Sequence, residues 1–297
     1  MSFRITQRSV SMRVLDGLQG NLDRLGTTQQ RLSSGKLVTK PSDSPTAAVS
    51  SMQLRAGARA QAQYSRNAQD GLGWLNTIDT ALTSTLDNLR RVRDLTVQGM
   101  STGGAGPDAR AAIAKEVSQI REAVIGLANT RYLDRPVFGG TTSGPAAFAV
   151  STGVFLGDTG PVKRTIAPGT TVDVNVNGQA TFGDDTTGLL KVLDDIVTDL
   201  NGANPATSLS TDLGNLDTAL KNITGTLATV GARVNRLETA RATADLNVDT
   251  LKTQLSDVED IDLPKTLMDL SLQQTAYQSA LGAAARVVQT SLVDFLR

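Results

Sequence analysis

The chain has 297 residues and no net charge, with 29 Lys and Arg set against 29 Asp and Glu, and it contains neither His nor Cys. That composition excludes imidazole acid–base catalysis, thiol nucleophiles, zinc sites built on nitrogen and sulfur, and disulfides. It also leaves no global field to draw in nucleic acid or anionic lipid. Aromatic residues make up 3% and hydrophobic residues 39%, so burial must come mainly from Leu, Val, Ile and Ala, the residues that fill helix seams.

Near the start, Leu15, Leu18, Leu22, Leu25, Gln29 and Leu32 alternate at steps of three and four, which predicts an amphipathic helix. No apolar run is long enough to span a membrane, and Met1 to Val10 lack the apolar stretch of a secretory signal, so neither a membrane partner nor a cleaved signal peptide is expected. Ser44-Pro45 reads as an N-cap followed by proline at the first helical position, opening a helix that runs to about Gln98. Ser101 to Gly106, with three glycines, turns the chain into another helix after Pro107, marked by Ile113, Val117, Ile120, Val124 and Leu127.

From residue 132 to 186 the helical period vanishes and Gly and Pro recur. Val172, Val174 and Val176 alternate with Asp173 and Asn175, which predicts a strand, and Asn177-Gly178 predicts a two-residue hairpin turn after it. A short helix around Leu189 to Leu200 leads through Asn204-Pro205 into the clearest signal of the chain. Leu209, Leu213, Leu216, Leu220, Ile223, Leu227, Val230, Val234, Leu237, Arg241, Ala244, Val248, Leu251, Leu255 and Val258 follow at alternating steps of four and three, and only Arg241 is not apolar. A period of 3.5 held this long is a coiled-coil seam, on a helix of roughly 75 Å. Asp262 and Pro264 cap a last helix whose seam is Leu267, Leu270, Gln274, Tyr277, Leu281, Ala284, Val288, Ser291 and Phe295.

The expected fold is mainly α, an elongated bundle of long coiled-coil-like helices with a small β-rich insert. Residues 1–42 with 260–297 supply terminal helices, 43–131 with 187–259 a long-helix bundle, and 132–186 the insert. The β segment holds one near match to a calcium loop, Asp173-Val-Asn175-Val-Asn177-Gly178 with Asp184 at the twelfth place. Valine at the second and fourth places favours a plain hairpin. The Gly-rich loop before Pro107 lacks the Gly-Lys-Ser/Thr of a phosphate loop, and the acidic pairs at Asp184-Asp185, Asp194-Asp195 and Glu259-Asp260 fall at turns and helix starts, where Asp caps backbone N–H groups. Arg90, Arg91 and Arg93 have no interleaved aromatics, so they read as a solvated face. No catalytic, cofactor or metal site is expected. The terminal seams must find partner helices, either each other within one molecule or neighbours in a polymer, and periodicity is compatible with both.

The stretch Arg31-Leu-Ser-Ser-Gly-Lys-Leu-Val-Thr-Lys-Pro-Ser-Asp-Ser-Pro45 resembles the N-terminal end of bacterial flagellins. So, at the other end, do Val258-Glu-Asp-Ile-Asp262, Gln273-Gln274-Thr-Ala-Tyr277 and Ser291-Leu-Val-Asp-Phe295-Leu-Arg297. The Lys-Pro-Ser-Asp-x-Pro form, Arg131-Tyr132, Phe138-Gly139-Gly140-Thr141 and the Gln-Gln-x-Ala-Tyr run are most similar to the hook–filament junction branch of that family. Leu133 to Val137 lengthen the usual spacing between Tyr and Phe. The resemblance implies a structural protein of the flagellum and no enzyme, exported through the flagellar channel to the hook–filament junction outside the cell. Its implied partners are copies of itself, the hook-side junction protein, flagellin and an export chaperone. It also implies that the terminal helices pack in the inner core of a tubular polymer, which makes Leu15, Leu18, Leu22, Leu25, Leu32, Leu267, Leu270, Tyr277, Leu281, Val288 and Phe295 the expected assembly residues. A filament flagellin, or a secreted coiled-coil translocator or adhesin, would share the periodicity.

Overall fold

The structure, a computed structural model, describes residues 7–101, 106–184, 186–202 and 205–295, with side chains described for these except in 7–11, 205–206 and 286–295. The order of elements is α1 (Gln7–Ser34), α2 (Pro45–Met100), α3 (Pro107–Ala128), β1 (Arg131–Tyr132), β2 (Arg135–Pro136), β3 (Lys163–Ala167), β4 (Thr170–Asp173), α4 (Gly178–Phe182), α5 (Leu189–Leu200), α6 (Pro205–Glu259) and α7 (Leu263–Phe295). The mainly α fold with a small β insert is as expected. The predicted helix starts hold as well. Ser44 Oγ accepts from Ala47 N at 3.4 Å, Pro107 stands in the first turn of α3, and Asp262 Oδ1 accepts from Lys265 N at 3.1 Å.

The chain divides into two compact units, one formed by residues 1–59 and 248–297, the other by 60–247. In the second unit α2 buries Ala68, Gly71, Leu75, Ile78, Leu82, Thr85, Leu89, Val92, Thr96 and Gly99, alternating at three and four, a complete heptad seam. Its two threonines return their hydroxyls to the carbonyls of Ala81 and Val92, each at 2.8 Å, so they sit in the core without an orphaned donor. Antiparallel to it, α6 buries Leu209, Leu216, Ile223, Val230, Leu237 and Ala244 at intervals of seven. The alternate positions Leu213, Leu220, Leu227 and Val234 are half-buried. Gly71 and Gly99 allow the close approach: a Cβ on Gly71 would stand 2.9 Å from Leu237 and Val174, and one on Gly99 would overlap Leu200. Against this pair α3 and α5 pack on each other, and Arg121 of α3 reaches Asp194 of α5 at 2.7 Å.

The insert has a core of its own. Phe138, Phe148, Phe155 and Phe182 meet edge to face or tilted, with ring centroids 5.0 to 5.5 Å apart, so four of the chain's six phenylalanines are spent in this one small region. Gly140, at φ +71, lets Asp158 accept from Thr141 N, Thr141 Oγ1 and Gly160 N, at 2.8, 2.6 and 2.7 Å. These bonds, the Thr141 hydroxyl foremost, hold the Asp158 carboxyl below its usual pKa. The insert meets α2 through Trp74, whose ring lies 5.7 Å from that of Tyr132 and under the Arg135 guanidinium at 5.9 Å.

One expectation is corrected. The hairpin does not follow Val176 but lies earlier, between β3 and β4, where Gly169 at φ +69 makes the turn. Asn177 instead caps α4, accepting from Gln179 N at 2.9 Å and Ala180 N at 3.3 Å. Asn175 likewise serves the backbone, accepting from Val162 N at 2.8 Å and donating to Gly160 O at 2.9 Å. The alternation that looked like a calcium loop thus uses its carboxamides on its own main chain.

The extra residues after Tyr132 form a tight hairpin. β1 and β2 pair with Arg131 opposite Pro136, and the two turn residues, Leu133 and Asp134, both have positive φ, 47° and 62°. Aspartate tolerates this region, whereas leucine is strained there by roughly 1 kcal/mol or more. Leu133 is also 74% exposed and gains little from burial. Replacing it with asparagine should therefore stabilise this unit by about 0.5–1 kcal/mol, read as a higher midpoint in denaturant unfolding; an unchanged or lower midpoint would show that the turn is not strained.

Candidate assembly interface

The first unit is joined at one place where α1, α2, α6 and α7 meet. Lys36 and Asp260 form an isolated antiparallel bridge, Leu37 N donates to Glu259 O at 2.6 Å, and Ile261 N donates to Gly35 O at 3.1 Å. Gly35 takes φ +68 as the chain leaves α1, a C-terminal position that favours glycine. The Glu259 carboxylate is buried and accepts from Lys36 Nζ at 2.7 Å and Arg55 Nη2 at 2.6 Å. Burial pushes its pKa upward, but the two charged donors outweigh it and the carboxyl lies below its ordinary value. The loop before α2 is closed by Asp43, which accepts from Lys40 N, Thr39 N and Thr39 Oγ1 at 3.0 to 3.1 Å. The Lys-Pro-Ser-Asp run is thus a turn whose aspartate replaces a missing ladder.

From this joint α1 and α7 run antiparallel and pack on each other. The inward positions of α1 are Val14, Leu18, Asn21, Leu25, Thr28 and Leu32, and those of α7 are Thr266, Leu270, Gln273, Tyr277, Ala280 and Ala284. Both sets alternate at four and three. Toward the joint, Thr28 Oγ1 donates to Gln273 Oε1 at 2.8 Å, a polar pair of the kind that fixes register at a cost in stability.

The predicted assembly residues therefore divide. Leu18, Leu25, Leu32, Leu270 and Tyr277 are half-buried in the seam within the molecule. Leu15, Leu22, Leu267 and Leu281 lie one position off it and are exposed at 62, 46, 51 and 51%. The side chains of Val288 and Phe295 lie outside the described residues. The leucines of these helices thus serve two faces, since the seam alternates Leu18, Leu25, Leu32 and Leu270 with the polar Asn21, Thr28, Thr266 and Gln273, while the remaining leucines flank it.

A third face of α7 was not foreseen. Met268, Ser271, Leu272, Thr275, Ala276 and Ser279 line an open groove of about 520 Å³, with Met268 and Leu272 among the most exposed apolar side chains. Its signal in the sequence is the run from Leu270 to Ala285, which contains no charged residue. A helix with apolar side chains outside its own seam has a further face suited to burial against another helix. Among the described residues, every buried hydrophobic side chain lies between Ala68 and Ala244. The first unit has none, so its helix pair closes a seam without making a core.

The comparisons with known proteins meet these observations at both ends of the chain. The family model for the bacterial flagellin N-terminal helical region matches residues 5–141, and that for the C-terminal helical region matches residues 213–296. The chain belongs to the bacterial flagellin family. It is 27% identical over 272 residues to the flagellar filament 33 kDa core protein of Treponema phagedenis, covering 90% of this chain and 91% of that one. To flagellar hook-associated protein 3 of Escherichia coli it is 23% identical over 277 residues, covering 86% and 87%. Two solved structures share the fold: a putative flagellar hook-associated protein from Vibrio parahaemolyticus, with TM-score 0.67 and 24% identity over 73% of this chain and all of that one, and hook associated protein-3 from Legionella pneumophila, with TM-score 0.63 and 13% identity over 70% and 98%. This member of the family is a flagellar structural protein, and the long motifs at its termini serve as the joint and the seam just described.

Proposed function

We propose that this chain is the adaptor between the flagellar hook and its filament, and that its terminal helices polymerise by burying the faces left open beside their shared seam. The observation that carries this reading is the contrast between the two units. The second unit has a complete core, whereas the first has a seam, eleven exposed large hydrophobics among its described residues and no buried one. A surface of that kind marks a site of association. On this reading residues 1–42 with 260–297 form the inner layer of a tubular ring, the bundle formed by 43–131 with 187–259 surrounds it, and the insert of 132–186 faces outward. No chemistry is assigned, and the role is mechanical. The partners are further copies of the chain, the hook-side junction protein, flagellin and an export chaperone.

A filament subunit is the second reading, favoured by the match to the Treponema filament protein over nine-tenths of both chains. Deleting the gene separates the two. Bare hooks with flagellin shed into the medium are expected of an adaptor. Bare hooks with no shed flagellin would make the chain the filament subunit instead, and intact flagella would overturn both.

A further inference from the structure

The second unit holds a carboxylate that neither its fold nor its assembly uses. Asp212, two turns into α6, is 5% exposed, and its Oδ2 has no hydrogen-bond donor. Its neighbour is another carboxyl, that of Asp199 at the end of α5, with Asp195 also acting on it. Three cations on the surrounding helices have carboxylate partners of their own, and of these Lys191 also acts weakly on Asp212. On α5, Lys191 is paired with Asp195; on α3, Arg121 binds Asp194 at 2.7 Å; on α2, Arg93 binds Asp217 at 2.9 Å. Two carboxylates this close in a site with little water cannot both ionise without cost. A proton on Asp212 removes one of the two charges and supplies the missing donor.

We propose that the contact between α5 and the start of α6 is a proton-dependent clamp, in which protonated Asp212 donates to the neighbouring Asp199 carboxylate and the contact loosens when Asp212 loses its proton. Leu200 and Leu209, both buried beside Gly99 of α2, lie at the same end of these helices, so the clamp acts on the packing of that end of the unit. Burial first, then the neighbouring aspartates, push the Asp212 carboxyl up to about 6, against a smaller pull from Lys191. A carboxyl raised in the folded state stabilises the fold fully below its unfolded value, near 3.8, and the stabilisation fades as pH rises through the folded value. The clamp is therefore tight in mild acid and slack at neutral pH.

Hydrogen exchange on the full-length chain in dilute solution tests this, with peptides covering 192–200 and 207–214 and rates corrected for the intrinsic effect of pH. Protection in these peptides should fall about tenfold between pH 5 and pH 7.5, while peptides from residues 75–89 of α2 stay level. Asp212→Asn should abolish the fall, and Asp199→Asn, which keeps Asp212 but removes its like-charged neighbour, should shrink it and move its midpoint to lower pH. A tenfold fall that survives in Asp212→Asn would overturn the proposal. Loss of protection at both pH values in both variants would overturn it too, since the carboxyls would then be needed for packing whatever their protonation.

Discussion

Leu281→Asp, and separately Leu22→Asp, should give a chain that folds and does not assemble. Both leucines are about half exposed on the helix pair, so a carboxylate at either place keeps its water in the isolated molecule and costs that molecule little. Once a neighbouring copy covers the site the same carboxylate must be dehydrated without a partner, at several kcal/mol, and about 3 kcal/mol already weakens a contact more than a hundredfold. A polymer repeats that penalty at every subunit. The core of the second unit lies wholly between Ala68 and Ala244, so its unfolding midpoint should not move. Leu25→Asp makes the informative contrast, because Leu25 is half-buried in the seam within the molecule, and charge there should unravel the helix pair itself. The variants would be expressed in cells lacking the gene and scored for incorporation by electron microscopy. Normal incorporation of both Leu22→Asp and Leu281→Asp would refute the interface.

How much of this was legible in the sequence depended on whether the decisive residues were apolar. The α6 seam could be read residue by residue, since every position in it but Arg241 is hydrophobic and all of those are buried or half-buried. The matching seam of α2 was hidden, because Gly71, Thr85, Thr96 and Gly99 hold core positions. The glycines serve close approach and the threonines satisfy themselves on their own helix, so hydrophobic counting passes over both. In the terminal helices the period was right: Leu18, Leu25, Leu32, Leu270 and Tyr277 lie in the seam, while the leucines between them fall one residue off it. Leucine marks a face that wants burial, but the face buried first, within the molecule, is the one carrying Thr28 and Gln273, and a sequence does not say which partner comes first. The misplaced hairpin has a similar cause: Asn177-Gly178 has the composition of a turn, but asparagine can also cap a helix, and the choice between the two is made by the packing of Phe182 against Phe138 and Phe148.

Glu259→Ala should have the largest effect on the stability of the first unit, a loss of about 2–3 kcal/mol. The truncation leaves Lys36 and Arg55 facing one another with no counter-charge at the point where α1, α2, α6 and α7 are joined. Removing one partner of a fully buried pair costs more than this, but these two cations are 41 and 44% exposed and are partly rescued by water. Glu259→Gln, which keeps an acceptor and loses the charge, should fall between the variant and the native chain. The pH dependence runs opposite to that of the Asp212 pair. A carboxyl depressed in the folded state contributes in full above its ordinary value, near 4.5, and the contribution is lost only as pH falls through the lower folded value. Acidification from pH 7.5 to 5 should thus tighten the peptides around Asp212 and leave those around Lys36 and Glu259 unchanged, while a further step well below pH 4.5 should loosen the latter. In Glu259→Ala the joint peptides should exchange fast throughout, with no such acid step, while the Asp212 response persists. An acid step that survives the substitution would assign the joint's pH dependence to another group, with Asp43, held below its usual value by the Lys40 and Thr39 bonds, the first to replace.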